Sequence, residues 1–310
     1  VFMRFALCLP TLNAIPTLKT FSEALSTQSF YGFDCLAIDS ASDDNTVALL
    51  KAAGFRVHSI PRTAFNHGAT RQLAVELSPE ADIIIYMTQD AILADSSSLQ
   101  HLVDAFADPS VGAAYGRQLP ATDATPIAAH ARLFNYPAES YVRSAADIPD
   151  YGIKTSFLSN SFAAYRRSAL MAVGGFPSSV ILSEDTMVAT KMLLNGWKVA
   201  YCAEATCYHS HNYTPFKEFQ RYFDIGVFHA REAWYLQALG GAEGEGKRFV
   251  LSELRYLRQH APALIPAALL RTAFKLFGYR LGRMERYLPR RVKRVLSMNR
   301  GFWEETAKAI

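Results

Sequence analysis

Three apolar runs that each end in polar residues place the tightest limit on how this chain can fold. The runs are FALCLPTLN, FDCLAIDSAS and DIIIYMTQD, and stretches with helical spacing lie between them. Strands that alternate with helices favour a parallel sheet covered by helices on both faces. Ligands of such sheets bind beyond the carboxyl ends of the strands. The sequence therefore predicts an α/β fold with a ligand site where the strands end.

Two aspartates stand at these predicted strand ends. Asp39 ends the second run and Asp90 follows the third. A buried carboxylate costs free energy unless it has a partner. The ordinary alternative for Asp90 is to cap a helix that begins near Ser96 or to lie in a solvated turn. For Asp39 it is to cap the helix that follows, although Asp43 and Asp44 are better placed. Because both aspartates lie at strand ends, the sequence favours a crevice that holds a cation or a phosphate.

The composition indicates the compartment of the protein. Half of the 310 residues are hydrophobic and 19% are charged, which allows a substantial core. The four cysteines form no CxxC pair, and no apolar run reaches the ~18 residues of a membrane span. No secretion signal is evident. We expect a reduced, cytoplasmic protein.

Charge is distributed unevenly along the chain. Residues 247–310 contain 15 Lys and Arg but 4 Asp and Glu, a net charge of +11, whereas residues 1–246 have a net charge of −7. The basic part interleaves Leu, Phe and Tyr with its cations, a pattern typical of helices at an anionic membrane surface. A helical pair packed on the body, with a solvated basic face, explains the pattern equally well. The acidic body does not support nucleic-acid binding.

Three local predictions concern stretches that follow the third apolar run. The stretch YGRQLPATDATP is predicted to be a loop. The stretch TPFKEFQRYFDIGVFHAREAWYLQ is predicted to form one long helix. Ser183 is predicted to cap a helix that begins with the acidic pair Glu184 and Asp185.

Seven motifs in a fixed order link the chain to a known family. They are LPTLN, IDSASDDNT, FNHGATR, TQDA, LSNSFAAYRR, SEDTMVATKMLLNGW and HSHNYT. Together they resemble the family 2 glycosyltransferases, and most of all the bacterial rhamnosyltransferases of surface polysaccharide synthesis, over about residues 4–235. The resemblance implies a GT-A catalytic domain over 1–240, with a mostly parallel, Rossmann-like nucleotide-binding sheet flanked by helices. Residues 241–310 would then form a helical, basic C-terminal region.

The same resemblance implies a reaction. It implies inverting transfer of L-rhamnose from dTDP-β-L-rhamnose to a lipid-linked or growing glycan, with a divalent metal on the diphosphate. A diphosphate needs a cation and hydrogen-bond donors, and hard oxygen ligands suit Mg²⁺ or Mn²⁺. Two alternatives remain open. One is a UDP-hexose donor, and the other is a non-catalytic relative that binds glycan or membrane.

The metal and base residues follow from the resemblance. Asp90 matches the last position of the family's Asp-x-Asp metal motif, but the first position is Thr88, so one carboxylate remains there. His209, and less directly His211, would complete the metal site, with capping of a turn as the ordinary alternative. Inversion needs a general base for the acceptor hydroxyl. That role falls to Asp185.

Glu184 and the nucleotide site are implied in the same way. Glu184 would position the base or the acceptor, although two acidic residues at a helix N-terminus also fit simple dipole stabilisation. His67 would contact the diphosphate, and Arg71 would pair with the nucleotide, with a surface salt bridge as its alternative. The full set of implied nucleotide contacts is Pro10, Thr11, Asn13, Asp39, Ser42, His67, Arg71 and Gln89.

Overall fold

The computed structural model describes residues 3–241 and 244–305. The strands are β1 (Phe5–Thr11), β2 (Phe33–Asp39), β3 (Arg56–Ser59), β4 (Ile83–Met87), β5 (Ile92–Leu93), β6 (Val111–Leu119), β7 (Tyr141–Arg143), β8 (Phe162–Arg166) and β9 (Lys198–Tyr208). The helices are α1 (Ile15–Ser26), α2 (Thr46–Ala52), α3 (His67–Leu77), α4 (Ser98–Asp104), α5 (Pro126–Asn135), α6 (Ile148–Tyr151), α7 (Arg167–Ala172), α8 (Glu184–Leu194), α9 (Pro215–Arg231), α10 (Ala233–Leu239), α11 (Glu245–His260), α12 (Ile265–Arg283), α13 (Arg290–Leu296) and α14 (Phe302–Glu305).

One mixed sheet organises the described part of the chain. Its order is β3-β2-β1-β4-β8-β6-β9-β5, and β7 pairs with β9. The strands β1 to β4 are parallel to one another, β6 and β9 share their direction, and β8, β5 and β7 run the opposite way. The predicted α/β class with a mostly parallel sheet is therefore confirmed. The ends of β1, β2, β4 and β9 fall at one edge of this sheet.

The core lies on both faces of the sheet, as expected when helices cover both sides. Every residue of β4 is buried, and its side chains alternate between the two faces. Ile84 and Tyr86 pack in the cluster that includes α3 and α8. Ile83 and Ile85 pack in the cluster that includes α1 and α4. This double burial explains why the run reads as continuously apolar.

The local predictions of a loop at residues 115–126 and of one long helix are wrong. Tyr115–Leu119, predicted as part of a loop, belong to β6, which pairs with both β8 and β9. The predicted single long helix breaks at Glu232 into α9 and α10. Both outcomes depend on contacts with distant parts of the chain, which local spacing does not reveal.

The C-terminal helices pack on the body of the protein. Phe219, Phe223 and Val227 of α9 form a third apolar cluster with Trp303 and with residues of α12 and α13. No helix in the described ranges has both the length and the apolar character that a membrane crossing requires. The C-terminal helices are therefore packed on the body, as one of the two alternatives predicted.

Three glycines allow the backbones of α9 and α12 to touch. A Cβ on Gly226 would lie 2.2 Å from the carbonyl oxygen of Tyr279, and one on Gly282 would lie 2.0 Å from that of Phe223. Gly278 faces the carbonyl of Phe219 in the same way, at 2.4 Å. Real Cβ atoms do not approach backbone so closely, so any larger residue must push the helices apart.

Gly282→Ala should therefore lower the free energy of unfolding by about 1–3 kcal/mol, the usual cost of overpacking. Gly246→Ala is the matched control, because a Cβ on this residue of α11 meets nothing within 4 Å. That control should leave the stability unchanged or raise it slightly. Thermal unfolding followed by circular dichroism measures both variants. Equal melting temperatures for the two would contradict the close packing of α9 on α12.

Candidate active site

A cleft of about 620 Å³ opens at the edge of the sheet where the parallel strands end. His67 and Arg71 of α3, Glu184 and Asp185 of α8, and His209 after β9 all line it. The fold thus brings the base candidates and a metal candidate from distant parts of the sequence into one cavity.

Asp185 and Glu184 begin α8, and backbone and side-chain contacts fix both. Asp185 accepts backbone N–H hydrogen bonds from Asn160 at 3.3 Å and from Thr186 at 2.8 Å. Glu184 forms a buried ion pair with Arg71, with 2.8 Å between Oε1 and Nη1, and accepts from the Asn160 side chain at 3.1 Å. Glu184 thus binds side chains of α3 and of the segment before β8, whereas the side chain of Asp185 is partly exposed in the cleft.

The two carboxyl groups titrate differently. Burial, and then the charge of Glu184, raise the pKa of Asp185 to about 7, against an opposing effect of Arg71. Burial also acts to raise the pKa of Glu184, but Arg71, His67 and hydrogen bonds outweigh it and lower that pKa. Adjacent carboxyl groups with separated pKa values are typical of acid–base sites. At neutral pH Glu184 is charged, and Asp185 can accept or release a proton.

Asp90, His209 and His211 form a cluster in which one potential ligand atom from each lies within 4.8 Å of the others. Nε2 of His209 is 3.5 Å from Oδ2 of Asp90, and the two imidazole rings are 4.6 Å apart. Burial acts to raise the pKa of Asp90, but the hydrogen bond and charge of His209 outweigh burial and hold this pKa well below its usual range. Asp90 therefore faces the histidines rather than the start of α4, and its capping alternative is wrong.

Gln118 fixes the ring of His209. Its Oε1 lies 2.9 Å from Nδ1 of His209 and 2.5 Å from Nη1 of Arg132, and its Nε2 donates to Ser159 at 3.0 Å. Arg132 can only donate, so Oε1 of Gln118 accepts, and Nδ1 of His209 carries the hydrogen. The other ring nitrogen, Nε2, is thereby held facing Asp90. An outer hydrogen bond of this kind is the usual way to orient a metal-binding histidine.

The chemistry of this cluster fits a divalent cation. One carboxylate oxygen and two imidazole nitrogens converge, and Asp90 is 40% exposed, so a ligand can reach the cluster. The hydroxyl of Thr88, which stands at the first position of the motif, is buried directly after β4, and its hydrogen bond helps to lower the pKa of Asp90.

Hydrogen bonds join the two loops that are predicted to hold the nucleoside. Oδ1 of Asp39 accepts from the hydroxyls of Thr11 at 3.1 Å and Ser42 at 2.5 Å, and Oδ2 accepts from the Ser42 N–H at 2.9 Å. The Ser42 hydroxyl accepts from the N–H of Asn13 at 2.8 Å. Gln89 binds the backbone of the β1–α1 loop at 2.9 and 3.1 Å. Asp39 is fully buried and organises these loops instead of capping α2.

The remaining predicted nucleotide contacts occupy different settings. Pro10 is the penultimate residue of β1 and is partly buried. Burial, and then the neighbouring charges of Arg71 and Arg221, lower the pKa of His67 against the effect of Glu184. The Arg71 side chain is 8% exposed and pairs with Glu184, so its surface salt-bridge alternative is wrong. Contact of these residues with a nucleotide stays a prediction.

The described ranges contain three non-glycine residues with positive φ, and all three lie beside the candidate site. Asn13 (φ +48°) and Ala41 (φ +56°) belong to the two nucleoside loops, and Ser183 (φ +64°) precedes Glu184. Ser183 makes no capping hydrogen bond, so its predicted role is wrong. Left-handed backbone in side-chain-bearing residues is uncommon and gathers at functional sites.

Two residues of the site were absent from the sequence-based predictions. Gln118 lies in the stretch predicted as a loop. It follows the apolar run VGAAYG, as Asp39 and Asp90 follow their own apolar runs, so the signal of a strand that ends in polar residues was present in the sequence. Asn160 lies in the motif LSNSFAAYRR. No spacing in the sequence links it to Asp185 or Glu184.

A family model provides the deciding comparison. The model described as glycosyl transferase family 2 matches residues 6–174, more than half of the chain. The chain belongs to glycosyltransferase family 2. The predicted family and the prediction of a glycosyltransferase are thereby confirmed.

Two curated relatives within this glycosyltransferase family match nearly the whole chain. O-antigen chain rhamnosyltransferase RfbN of Salmonella typhimurium is 50% identical over 302 residues, 97% of this chain and 96% of its own length. O-antigen chain rhamnosyltransferase WbaN of Salmonella anatum is 46% identical and covers 96% of this chain and 95% of its own length. The match thus extends through the C-terminal helices.

Solved structures share the fold of this glycosyltransferase. The mannosyltransferase PcManGT of Pyrobaculum calidifontis superimposes with a TM-score of 0.59 at 19% identity, covering 99% of this chain and 87% of that chain. Glucosyl-3-phosphoglycerate synthase of Mycobacterium tuberculosis gives a TM-score of 0.51 at 17% identity, with coverages of 78% and 82%. These likenesses confirm the predicted GT-A fold.

Proposed function

We propose that this glycosyltransferase transfers L-rhamnose from dTDP-β-L-rhamnose, with inversion, to a lipid-linked or growing glycan. The observation that carries the proposal is one cleft that holds Asp185 together with His209 and His211 of the cluster around Asp90. The choice of rhamnose rests on the similarity to the O-antigen rhamnosyltransferases RfbN and WbaN.

Asp185 is the proposed general base. It accepts the proton of the acceptor hydroxyl while that oxygen attacks the anomeric carbon from the face opposite the diphosphate. Its raised pKa, about 7, makes the carboxylate more basic than an ordinary aspartate. Backbone N–H groups of Asn160 and Thr186 hold it in place. Glu184, tied to Arg71, keeps the start of α8 fixed and so positions the base.

Asp90, His209 and His211 are the residues that would hold Mn²⁺ or Mg²⁺. When bound, the ion offsets the negative charge of the departing diphosphate. Gln118 binds Nδ1 of His209 and so turns Nε2 toward Asp90 and the proposed ion, and Asp90 is ionised at neutral pH because its pKa is low. The solved structures of PcManGT with GDP-Man and Mn²⁺, and of glucosyl-3-phosphoglycerate synthase with UDP and Mn²⁺, support a metal and a nucleotide in this fold.

The loops joined by Asp39 are the proposed nucleoside site. Asn13, Ser42 and the positive-φ residue Ala41 shape the end of β1 and β2, where parallel sheets bind nucleotides. His67 and Arg71 line the same cleft as Asp185 and are proposed to meet the diphosphate.

A donor screen tests this function. Release of nucleoside diphosphate is measured with dTDP-β-L-rhamnose and with UDP-hexoses, each with Mn²⁺, with Mg²⁺ and with EDTA. We expect release from dTDP-β-L-rhamnose that depends on the metal. Release from a UDP-hexose alone would show that the donor is a UDP-hexose and not dTDP-β-L-rhamnose. No release from any donor would favour a non-catalytic binding protein.

We also propose that α12 touches an anionic membrane surface. Leu269, Leu276 and Phe277 are 49%, 50% and 63% exposed, and Arg280 and Arg283 are exposed beside them. Spacings of four and seven residues place such side chains on one face of a helix. An exposed apolar stripe with flanking cations is suited to shallow insertion among anionic lipids.

The basic residues of α13 are less available for this role. Arg290 donates to the backbone carbonyls of Trp303 and Glu304, and Arg294 pairs with Glu304 at 2.6 Å. Lys293 binds Glu285. These cations are engaged within the C-terminal segment itself, so the surface of α12 is the better place to test for membrane contact.

The double variant Leu276→Gln, Phe277→Gln should sediment several-fold less with anionic liposomes than the wild type, because each exposed apolar side chain contributes to insertion. Leu194→Gln, equally exposed at the end of α8, is the control and should behave like the wild type. Wild-type binding should also weaken as salt rises, since charges are screened over about 8 Å at physiological ionic strength. If the double variant sediments as much as the wild type, this surface of α12 is not the membrane contact.

A further inference from the structure

Tyr165 of β8 begins a chain of hydrogen bonds that reaches the proposed base. Its hydroxyl lies 2.6 Å from Oδ1 of Asn160, and Nδ2 of Asn160 lies 3.1 Å from Oε1 of Glu184. The backbone N–H of the same asparagine donates to Asp185 at 3.3 Å. Asn160 therefore contacts both carboxyl groups at the start of α8, and Tyr165 contacts Asn160 from the core.

The chemistry of the partners sets the direction of each hydrogen bond in this chain. Glu184 is ionised and can only accept, so the Asn160 amide turns Nδ2 toward Glu184 and Oδ1 toward Tyr165. Because Oδ1 also only accepts, the Tyr165 hydroxyl must donate. Burial, and then the charges of Asp185 and Glu184, raise the pKa of Tyr165 well above its usual value, against an opposing effect of Arg71. The hydroxyl therefore keeps its proton and holds the amide in one orientation.

The sheet and the core fix the position of Tyr165. Strand β8 lies between β4 and β6, and Tyr165 pairs with Ile84 on one side and with Ala113 on the other. Its side chain is fully buried, with its ring centroid 5.8 Å from that of Tyr86 and 5.1 Å from that of Phe176. Side chains packed in this way stay in one rotamer. The hydroxyl is therefore held at a fixed point of the core.

Several elements contribute the groups that influence the titration of Asp185. Burial and Glu184 raise its pKa, whereas Arg71 and the backbone hydrogen bonds from Thr186 and Asn160 lower it. The phenols that the charge of Asp185 affects are Tyr136 after α5, Tyr165 of β8 and Tyr235 of α10. Asn160 is the hydrogen-bond donor to Asp185 that Tyr165 contacts directly, so a change at Tyr165 should reach the base through Asn160.

We infer that Tyr165 is a positioning residue of this glycosyltransferase, which acts through Asn160 to hold Glu184 and Asp185 in the arrangement that transfer requires. The inference rests on the proposed function, in which Asp185 is the general base. Without the Tyr165 hydroxyl, Oδ1 of Asn160 would be buried and unpaired, which costs free energy. The amide would then shift to find another donor, and the backbone N–H of Asn160 would hold Asp185 less firmly.

Tyr165→Phe removes the hydroxyl and keeps the ring. With dTDP-β-L-rhamnose, Mn²⁺ and a lipid-diphosphate-linked saccharide, we expect kcat to fall roughly fivefold or more, the usual loss for one hydrogen bond, with KM for the donor unchanged. The pH at which transfer reaches half of its maximum should rise, because a hydrogen bond that lowers the pKa of Asp185 is weakened. Tyr201→Phe is the matched control, since Tyr201 is equally buried and its hydroxyl donates to the carbonyl of Pro137 at 2.7 Å. That control should keep both the rate and the pH profile.

A double variant shows whether Tyr165 acts through Asn160. Asn160→Ala keeps the backbone N–H but loses the amide, so it should lower kcat by itself. Adding Tyr165→Phe to Asn160→Ala should cost no further activity, because the partner of the hydroxyl is already gone. Thermal unfolding verifies that each variant is folded at the assay temperature. Losses that multiply fully in the double variant would contradict the inference.

The titration of Asp185 can also be followed without any donor. Carbon-13 NMR of the protein with labelled aspartate gives the midpoint for its carboxyl group, and Asp185→Asn assigns the signal. We expect a higher midpoint in Tyr165→Phe than in the wild type. An unchanged midpoint in Tyr165→Phe, or an equal rise in Tyr201→Phe, would overturn the inference. If the donor screen fails while the midpoint still rises in Tyr165→Phe alone, the link from Tyr165 to Asp185 is supported and the proposed function alone is wrong.

Discussion

Asp185→Asn should lower transfer by roughly two orders of magnitude or more, while nucleotide binding survives. The substitution keeps the size of the side chain and leaves one oxygen to accept from the N–H of Asn160 or of Thr186, but it removes the proton acceptor. The measurement is turnover of dTDP-β-L-rhamnose with a lipid-diphosphate-linked saccharide, beside calorimetric binding of dTDP. Asp34→Asn, an exposed aspartate at the start of β2, is the control and should behave like the wild type.

The pH dependence of the wild type gives a second readout of the same role. A base must be ionised to act, and the pKa of Asp185 is raised to about 7 by burial and by Glu184, with Arg71 opposing them. Transfer should therefore rise as pH increases through about 7 and level off above it. Near-normal transfer by Asp185→Asn, or a rate that is flat between pH 5 and 8, would contradict the assignment.

Asp90→Ala should abolish the tightening of nucleoside diphosphate binding by Mn²⁺ or Mg²⁺. The carboxylate is the charged ligand of the cluster, so its removal separates the cation from the protein. His209→Ala should weaken the effect less. Gln118→Leu keeps every proposed ligand but loses the outer hydrogen bond to His209, together with the bonds of Gln118 to Arg132 and Ser159, so we expect metal affinity to fall by about 10–100-fold. Calorimetric titration of dTDP with and without metal measures all three variants.

These metal variants share one decisive control, the wild type in EDTA. If EDTA leaves wild-type transfer unchanged, the metal roles of Asp90 and His209 are both wrong. If transfer is lost in EDTA but Asp90→Ala still binds dTDP more tightly with metal, the ion lies elsewhere in the protein.

The sequence predicted the parts of the fold that depend on local pattern. The apolar run that became β4 and the helical spacing of α8 are visible in neighbouring residues, and the ends of such strands mark the ligand edge of a parallel sheet. That rule alone predicted that Asp39 and Asp90 lie at this edge, where the structure places them. The order of the motifs then predicted that Asp185 and His209 belong to one site, and both line the cleft.

The contacts between distant elements were not predictable in this way. Arg71 pairs with Glu184 across α3 and α8, and Gln118 meets His209 across two strands, and neither pair has a spacing that marks it. The close packing of α9 on α12 likewise depends on Gly282 meeting Phe223, which only the folded backbone reveals. Burial also distinguishes the roles of the two aspartates. Both carboxylate oxygens of Asp39 accept hydrogen bonds from its own loops, whereas the side chain of Asp185 is partly exposed in the cleft.

The stereochemistry of donor cleavage tests the central claim most directly. The enzyme is incubated with dTDP-β-L-rhamnose and Mn²⁺, and early proton NMR spectra identify the first-formed anomer of the released or transferred sugar. Inverting chemistry with Asp185 as base predicts the α anomer, formed in the presence of metal and lost in EDTA. First-formed β-rhamnose, or cleavage that does not depend on the metal, would contradict the account.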